Sequence, residues 1–216
     1  MGASFRLRPA SPSDLPSVLA LIEDAAAWLR TTGTDQWNRP WPNREERDRR
    51  VYESLALGET WLLWDGPAPI ATITATRTPD DALWTIGECA EPAIYLHRLV
   101  VGRTHAGNGL GAHLLDWAGT RARRTGAHWI RIDVWADNYA LHRYYFRQGF
   151  RWLRQSTRIP GYPAGALFQK NVHADRPGRP LPFEVDAPAV NGRRPHARSG
   201  DPPWTGLGLP PASNAS

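Results

Sequence analysis

The stretch Leu96-His97-Arg98-Leu99-Val100-Val101-Gly102-Arg103-Thr104-His105-Ala106-Gly107-Asn108-Gly109-Leu110-Gly111 decides the fold. Its first six residues form an apolar run that ends in two β-branched valines and reads as a strand. Gly107, Gly109 and Gly111 then alternate, which frees the backbone to turn and to approach a ligand closely. Behind them Leu110, Leu114, Leu115, Trp117, Ala118 and Ala122 recur at helical spacing, so a helix is predicted from Leu110 to Arg124. The glycines therefore stand at a helix N-terminus, where unpaired N–H groups and the helix dipole favour a phosphate.

Three kinds of phosphate loop need comparing. A P-loop carries Lys and then Ser or Thr after its last glycine, whereas Gly111 is followed by Ala112 and His113. The dinucleotide fingerprint G-x-G-x-x-A is satisfied by Gly107 to Ala112, and Asp133 lies about 20 residues further on, where a ribose-binding acid belongs. In that fold the first glycine follows its strand almost directly, but here Gly102 to Ala106 intervene. The unit also begins near residue 94, leaving too little chain for two βαβαβ halves.

The flanking segment Asn138-Tyr139-Ala140-Leu141-His142-Arg143-Tyr144-Tyr145-Phe146-Arg147-Gln148-Gly149-Phe150 decides for a third kind. Strand, glycine loop, helix, second strand (Trp129 to Trp135) and this segment together resemble the GNAT superfamily of acyl-CoA-dependent N-acetyltransferases, over roughly residues 4–172. The family's Arg/Gln-x-x-Gly-x-Gly/Ala motif is matched from Ala106 to Gly111 except at its first position, where Ala106 replaces the cation. Its second signature, an Asn, a Tyr seven residues on and then Gly-Phe, is matched by Asn138, Tyr145, Gly149 and Phe150.

The resemblance implies an acetyl-CoA-dependent enzyme that needs no metal. Acetyl-CoA would be the co-substrate, held by the backbone of Leu99, Val100 and Val101, by the loop Ala106, Gly107, Asn108, Gly109, Leu110, Gly111 and Ala112, and by Asn138. Arg103 or His105 would supply the charge that Ala106 lacks. Tyr145 would be the general acid, since a phenol is protonated at neutral pH and can donate to a departing thiolate. Tyr144 is its competitor, about 100° away around the helix.

Asp133 lies in an apolar strand, opposite in facing to Ile130, Ile132 and Val134, and a carboxylate there is costly unless paired or used. It matches the position of the carboxylate base in the ribosomal-protein N-terminal acetyltransferase branch. Two readings stand: a general base acting directly or through water, or an ion pair with Arg131 or a cap on the loop before Asn138.

The expected architecture is an α/β (α+β) fold: a mixed, mostly antiparallel sheet of about seven strands with helices on both faces. Residues 1–172 form the domain. Residues 173–216 hold nine of the twenty prolines and few aliphatics, so they read as a disordered tail whose removal leaves stability intact. Net charge is +5, carried by scattered arginines rather than a basic block, so no nucleic-acid partner is expected. Lone Cys89 excludes an internal disulfide, and no apolar run is long enough for a signal peptide or membrane span. A cytoplasmic monomer or homodimer acting on a small-molecule amine, or on a protein N-terminus, is the leading reading. Trp28, Trp37 and Trp41 would wall its acceptor pocket. The rivals are a non-catalytic acyl-CoA sensor and a toxin that acetylates aminoacyl-tRNA.

Overall fold

A computed structural model describes residues 5–157, 159, 162–174 and 180–187. β1 (Phe5–Pro9) enters a 3₁₀ turn in which the Asp14 carboxylate accepts from the Ser11 amide at 2.8 Å. That turn starts α1 (Leu15–Thr31), and α2 (Arg44–Ala56) follows, capped by Asn43 Oδ1 accepting from the Glu46 amide. β2 (Thr60–Asp65) and β3 (Ala68–Thr76) form a hairpin that turns at Gly66, where φ is +54°. A short α3 (Ile86–Ala90) precedes β4 (Ala93–Val101), and α4 (Leu110–Arg124) covers the predicted span. β5 (Trp129–Val134), α5 (Tyr139–Arg147), β6 (Arg151–Gln155), β7 (Ala166–Asn171) and β8 (Phe183–Val185) complete the order.

All eight strands lie in one sheet, ordered β6-β7-β5-β4-β3-β2-β1-β8. Only β4–β5 and β1–β8 are parallel; the other pairs are antiparallel, as expected for a mixed, mostly antiparallel sheet. Two cores follow from its two faces. On one, Val18, Leu21 and Ile22 of α1 meet Val51 and Leu55 of α2 over Leu62 and Val100. On the other, Leu110, Leu114 and Trp117 of α4, with Tyr145 of α5, pack on Trp61, Ile73, Ile94 and Ile130. The helices therefore occupy both faces and leave the C-terminal ends of β4 and β5 between them.

The tail boundary needs correcting. β8 lies beyond residue 172, pairs with β1 from Phe5↔Phe183 to Leu7↔Val185, and buries Phe183 in the larger core. The Asp186 amide donates to the Leu7 carbonyl at 2.9 Å, and Arg6 meets the Asp186 carboxylate at the same distance. Composition averaged over the segment hid a short apolar patch, in which Leu181 and Phe183 flank Pro182 and proline favours extended backbone. The remaining tail positions, 175–179 and 188–216, lie outside the described residues. Sequence patterning also missed α3, which is too short to show a period.

Phe183→Ala should cost about 3 kcal/mol by the usual cavity penalty for a buried aromatic. For a domain of this size that lowers the melting temperature by roughly 5–10 °C, readable by thermal denaturation. An unchanged melting temperature would show that β8 contributes nothing to the fold.

Candidate active site

β4 and β5 run side by side only from Ala93↔Trp129 to Tyr95↔Arg131. Beyond that point β4 continues to Val101 and β5 to Val134 without pairing each other, so the sheet forks. A β-bulge accompanies the parting. Thr74 pairs with His97 and Thr72 with Val100, so Ile73 of β3 faces both Arg98 and Leu99. Arg98 takes φ +50°, a left-handed conformation unusual for a side chain of its size. The extra residue shifts the alternation: Leu99 and Val101 pack toward α4, while Arg98 reaches Ser54 of α2. A cleft of about 1670 Å³ opens at the fork, larger than the roughly 300–1,000 Å³ that a single small ligand needs.

The glycine loop borders one side of the fork. Gly107 and Gly109 have φ of +86° and +73°, with open space where a side chain would project. Gly109 is the N-cap of α4. Among the described residues the amides from Gly107 to Gly111 have no protein acceptor, since the first turn of a helix leaves its donors unpaired. The Ala106 amide is taken by the Arg103 carbonyl and the Ala112 amide by the Gly109 carbonyl, so these two residues offer no free donor in the expected cradle. Gly111 is constrained differently: a Cβ there would stand 2.8 Å from the Tyr144 hydroxyl.

The two loop residues expected to make up for the missing cation have other partners. His105 Nε2 lies 3.5 Å from the Asp65 carboxylate, and the Arg103 guanidinium rests 4.0 Å above the Trp28 ring.

Asp133 faces the cleft from β5, as alternation required. Its expected pairing with Arg131 does not form. The Arg131 guanidinium is buried against Trp84 and donates to Glu91 and to the Glu88 carbonyl. Asp133 instead accepts from the Tyr162 hydroxyl at 2.8 Å and lies 3.4 Å from His97 Nδ1. Burial opposes its ionisation, but His97 and Tyr162 outweigh that and hold its carboxyl below the ordinary range. Nearby Asp80 is pushed the other way, by burial and by repulsion from Asp133.

α5 brings two tyrosines to the cleft. Tyr145 is buried against Tyr144 and Phe150, and burial raises its phenol well above the ordinary value. The Tyr144 hydroxyl lies beside Gly111, and burial lifts its phenol to about 12. Asn138 caps α5 by accepting from the Leu141 amide, while its Nδ2 donates to Gln36 Oε1 at 2.7 Å. That bond fastens the loop after α1 to the start of α5. Trp28, Trp37 and Trp41 all border the cleft, as expected.

Several site residues escaped the sequence reading. His97 and Arg98 stood in the quoted stretch as strand residues. Two adjacent polar residues inside an apolar strand were the available signal for a bulge. Tyr162 and Gln36 sit in loops with no pattern to mark them. Among the described residues, no cluster of His, Cys, Asp and Glu is arranged to hold a metal ion, and no helix is long and apolar enough to cross a membrane.

Comparison with known proteins agrees with this geometry. The acetyltransferase (GNAT) family profile matches residues 22–150. Over 179 residues the chain is 33% identical to an uncharacterized N-acetyltransferase, YesJ, of Bacillus subtilis, covering 79% of this chain and 92% of that one. The crystal structure of a GNAT-family acetyltransferase from Listeria monocytogenes superposes with a TM-score of 0.64 at 26% identity, over 77% of this chain and 94% of that one. The PaiA N-acetyltransferase of Thermoplasma acidophilum, crystallised with coenzyme A, shares the fold with a TM-score of 0.60 at 14% identity, over 78% and 99% of the two chains. The chain belongs to the GNAT family of acetyltransferases.

Proposed function

We propose that the protein transfers the acetyl group of acetyl-CoA to the primary amine of a small molecule, by direct attack within a ternary complex. The observation that carries this reading is the fork between β4 and β5, with unpaired loop amides from Gly107 to Gly111 at its side and both Asp133 and Tyr145 bordering its cleft. The residues fit coenzyme A. Positive-φ glycines open onto free space for a diphosphate, and the β5-facing edge of Leu99 to Val101, which pairs only with β3 on its other side, can pair with an amide-bearing arm as an added strand would. Bound acetyl-CoA supplies an activated thioester.

The chain's own groups do the rest. Asp133, kept ionised by His97 and Tyr162, takes the proton of the incoming ammonium, and its short side chain favours a water relay. Tyr145, kept protonated by burial, gives its proton to the sulfur as the carbon–sulfur bond breaks. Tyr144 is the weaker candidate for that donation because its hydroxyl lies against Gly111 of the phosphate loop. Asn138 keeps one Nδ2 hydrogen for the cofactor arm after capping α5 and bonding Gln36. The tryptophans of the α1–α2 connection wall the cleft, which suits a small acceptor better than a protein terminus.

Tyr145→Phe should lower kcat by about 10²- to 10⁴-fold with little change in acetyl-CoA affinity; an unaltered rate removes Tyr145 as the acid. Because its phenol lies above 10, the pH profile of kcat should show no descending limb centred below that value. Asp133→Asn should slow turnover most at neutral pH and recover as pH nears ~10, where the free amine is already neutral. A defect equal at all pH values would argue for a structural role. Gly109→Val, forced into a left-handed conformation, should weaken acetyl-CoA binding by about 100-fold or more in calorimetry. Retained affinity would refute the phosphate-loop assignment and, with no thiol release across an amine panel, leave only a binding or sensor role.

A further inference from the structure

The cleft holds two arginines that form no ion pair among the described residues. Arg98 donates from Nη2 to Ser54 Oγ at 2.9 Å, while its Nε–H is buried with no acceptor. Among the described residues it forms no ion pair. Ser54 is fixed in turn by hydroxyl contacts running through Thr60 to Thr74, so the guanidinium is held in place rather than free to swing out. Arg50 of α2 borders the same cleft, donates to the Trp41 and Glu46 carbonyls, and has no carboxylate partner among the described residues. Burial and the repulsion of Arg50, opposed by the attraction of Asp133 and Glu59, pull Arg98 down to about 10, still protonated at neutral pH.

Four of the carboxylates around the cleft are otherwise engaged, and Asp137 borders it as well. Glu59 accepts from Thr76 at 2.6 Å, Glu53 pairs with Arg49, and Asp133 lies with His97 and Tyr162. Asp80 is turned to the Ala82 amide. A buried cation without an anion is costly, and a ligand can complete it. The bulge puts Arg98 directly after His97, whose ring touches Asp133. Arg98 and Asp133 border the same cleft, and the Asp133 carboxylate acts electrostatically on the guanidinium.

We infer that the acceptor is a free amino carboxylic acid, with its amine at Asp133 and its carboxylate on Arg98, backed by Arg50. This rests on the acetyl-transfer reading above and narrows its substrate class. A planar carboxylate suits a guanidinium, with charge-assisted hydrogen bonds.

The test uses the full chain, acetyl-CoA and thiol release. Each proteinogenic L-amino acid is compared with its carboxamide, its decarboxylated amine and its aminophosphonate, and acetyl-CoA binding is followed by calorimetry. The best amino acid should exceed its carboxamide by about 100-fold in kcat/KM, chiefly through KM. The carboxamide has the more easily deprotonated amine, so the comparison is biased against the inference. Arg98→Met should remove that preference with acetyl-CoA affinity unchanged, and Arg50→Met should reduce it about 10-fold. The wild-type comparison stands even if a variant misfolds. Equal or better use of carboxamides, simple amines or aminophosphonates overturns the amino-acid assignment and leaves acetyl transfer intact. Binding of acetyl-CoA without turnover of any amine overturns it too. If acetyl-CoA neither binds nor turns over, the acetyltransferase reading fails and takes this one with it.

Discussion

Parallel pairing between β4 and β5 stops after Tyr95 and Arg131, and the rest of the site is arranged around that stop. A sheet interior normally satisfies every backbone donor and acceptor, and groups left open inside a fold are costly unless something else meets them. Here the fork is held open from both sides. α4 and α5 pack on one face of the sheet and α1 and α2 on the other, so neither strand can close on its neighbour without displacing a core. The bulge at Arg98 is the local device that lets β4 stay bonded to β3 while it leaves β5.

The fork also sorts charge. Donors without counterparts collect at the start of α4, where the helix dipole adds to them. Across the cleft, Asp133 is kept ionised in a buried setting by two neighbours, while the phenol of Tyr145 is kept neutral by the same burial with no partner to oppose it. One desolvated environment thus favours an ionised carboxylate and a neutral phenol at once, and the difference lies in which side chains stand next to each. Ala106 shows that the loop does not depend on a cation at its entrance for its geometry. The positive φ of Gly107 and Gly109 and the N-cap of α4 are formed without it.

Much of this was legible in the residues. The glycine spacing located the start of α4, and the periodicity from Leu110 to Arg124 gave its length. The alternation of Ile130, Ile132 and Val134 placed Asp133 on the cleft side of β5. What stayed hidden depends on tertiary contact. Arg131 and Asp133 share a face by alternation, yet Glu91, far away in sequence, captures the arginine. Tyr162 reaches Asp133 from a loop whose position is set by the packing of β6 and β7, and a lone tyrosine between prolines carries no local sign of that. The strand at Phe183 was lost because few apolar residues among prolines read as uniformly polar when averaged over the tail.

The placement of β8 also shapes how the molecule meets its own kind. Two strands end this sheet, and the segment that returns to lie along β1 turns an otherwise bare margin into an occupied one. Among the described strands, the opposite margin is β6, where Arg151 is exposed and Arg154 is paired with Glu88. Charged side chains on a terminal strand discourage a second chain from stacking onto it. Both margins are short, three residues in β8 and five in β6, which gives the backbone of a second copy little length to pair with.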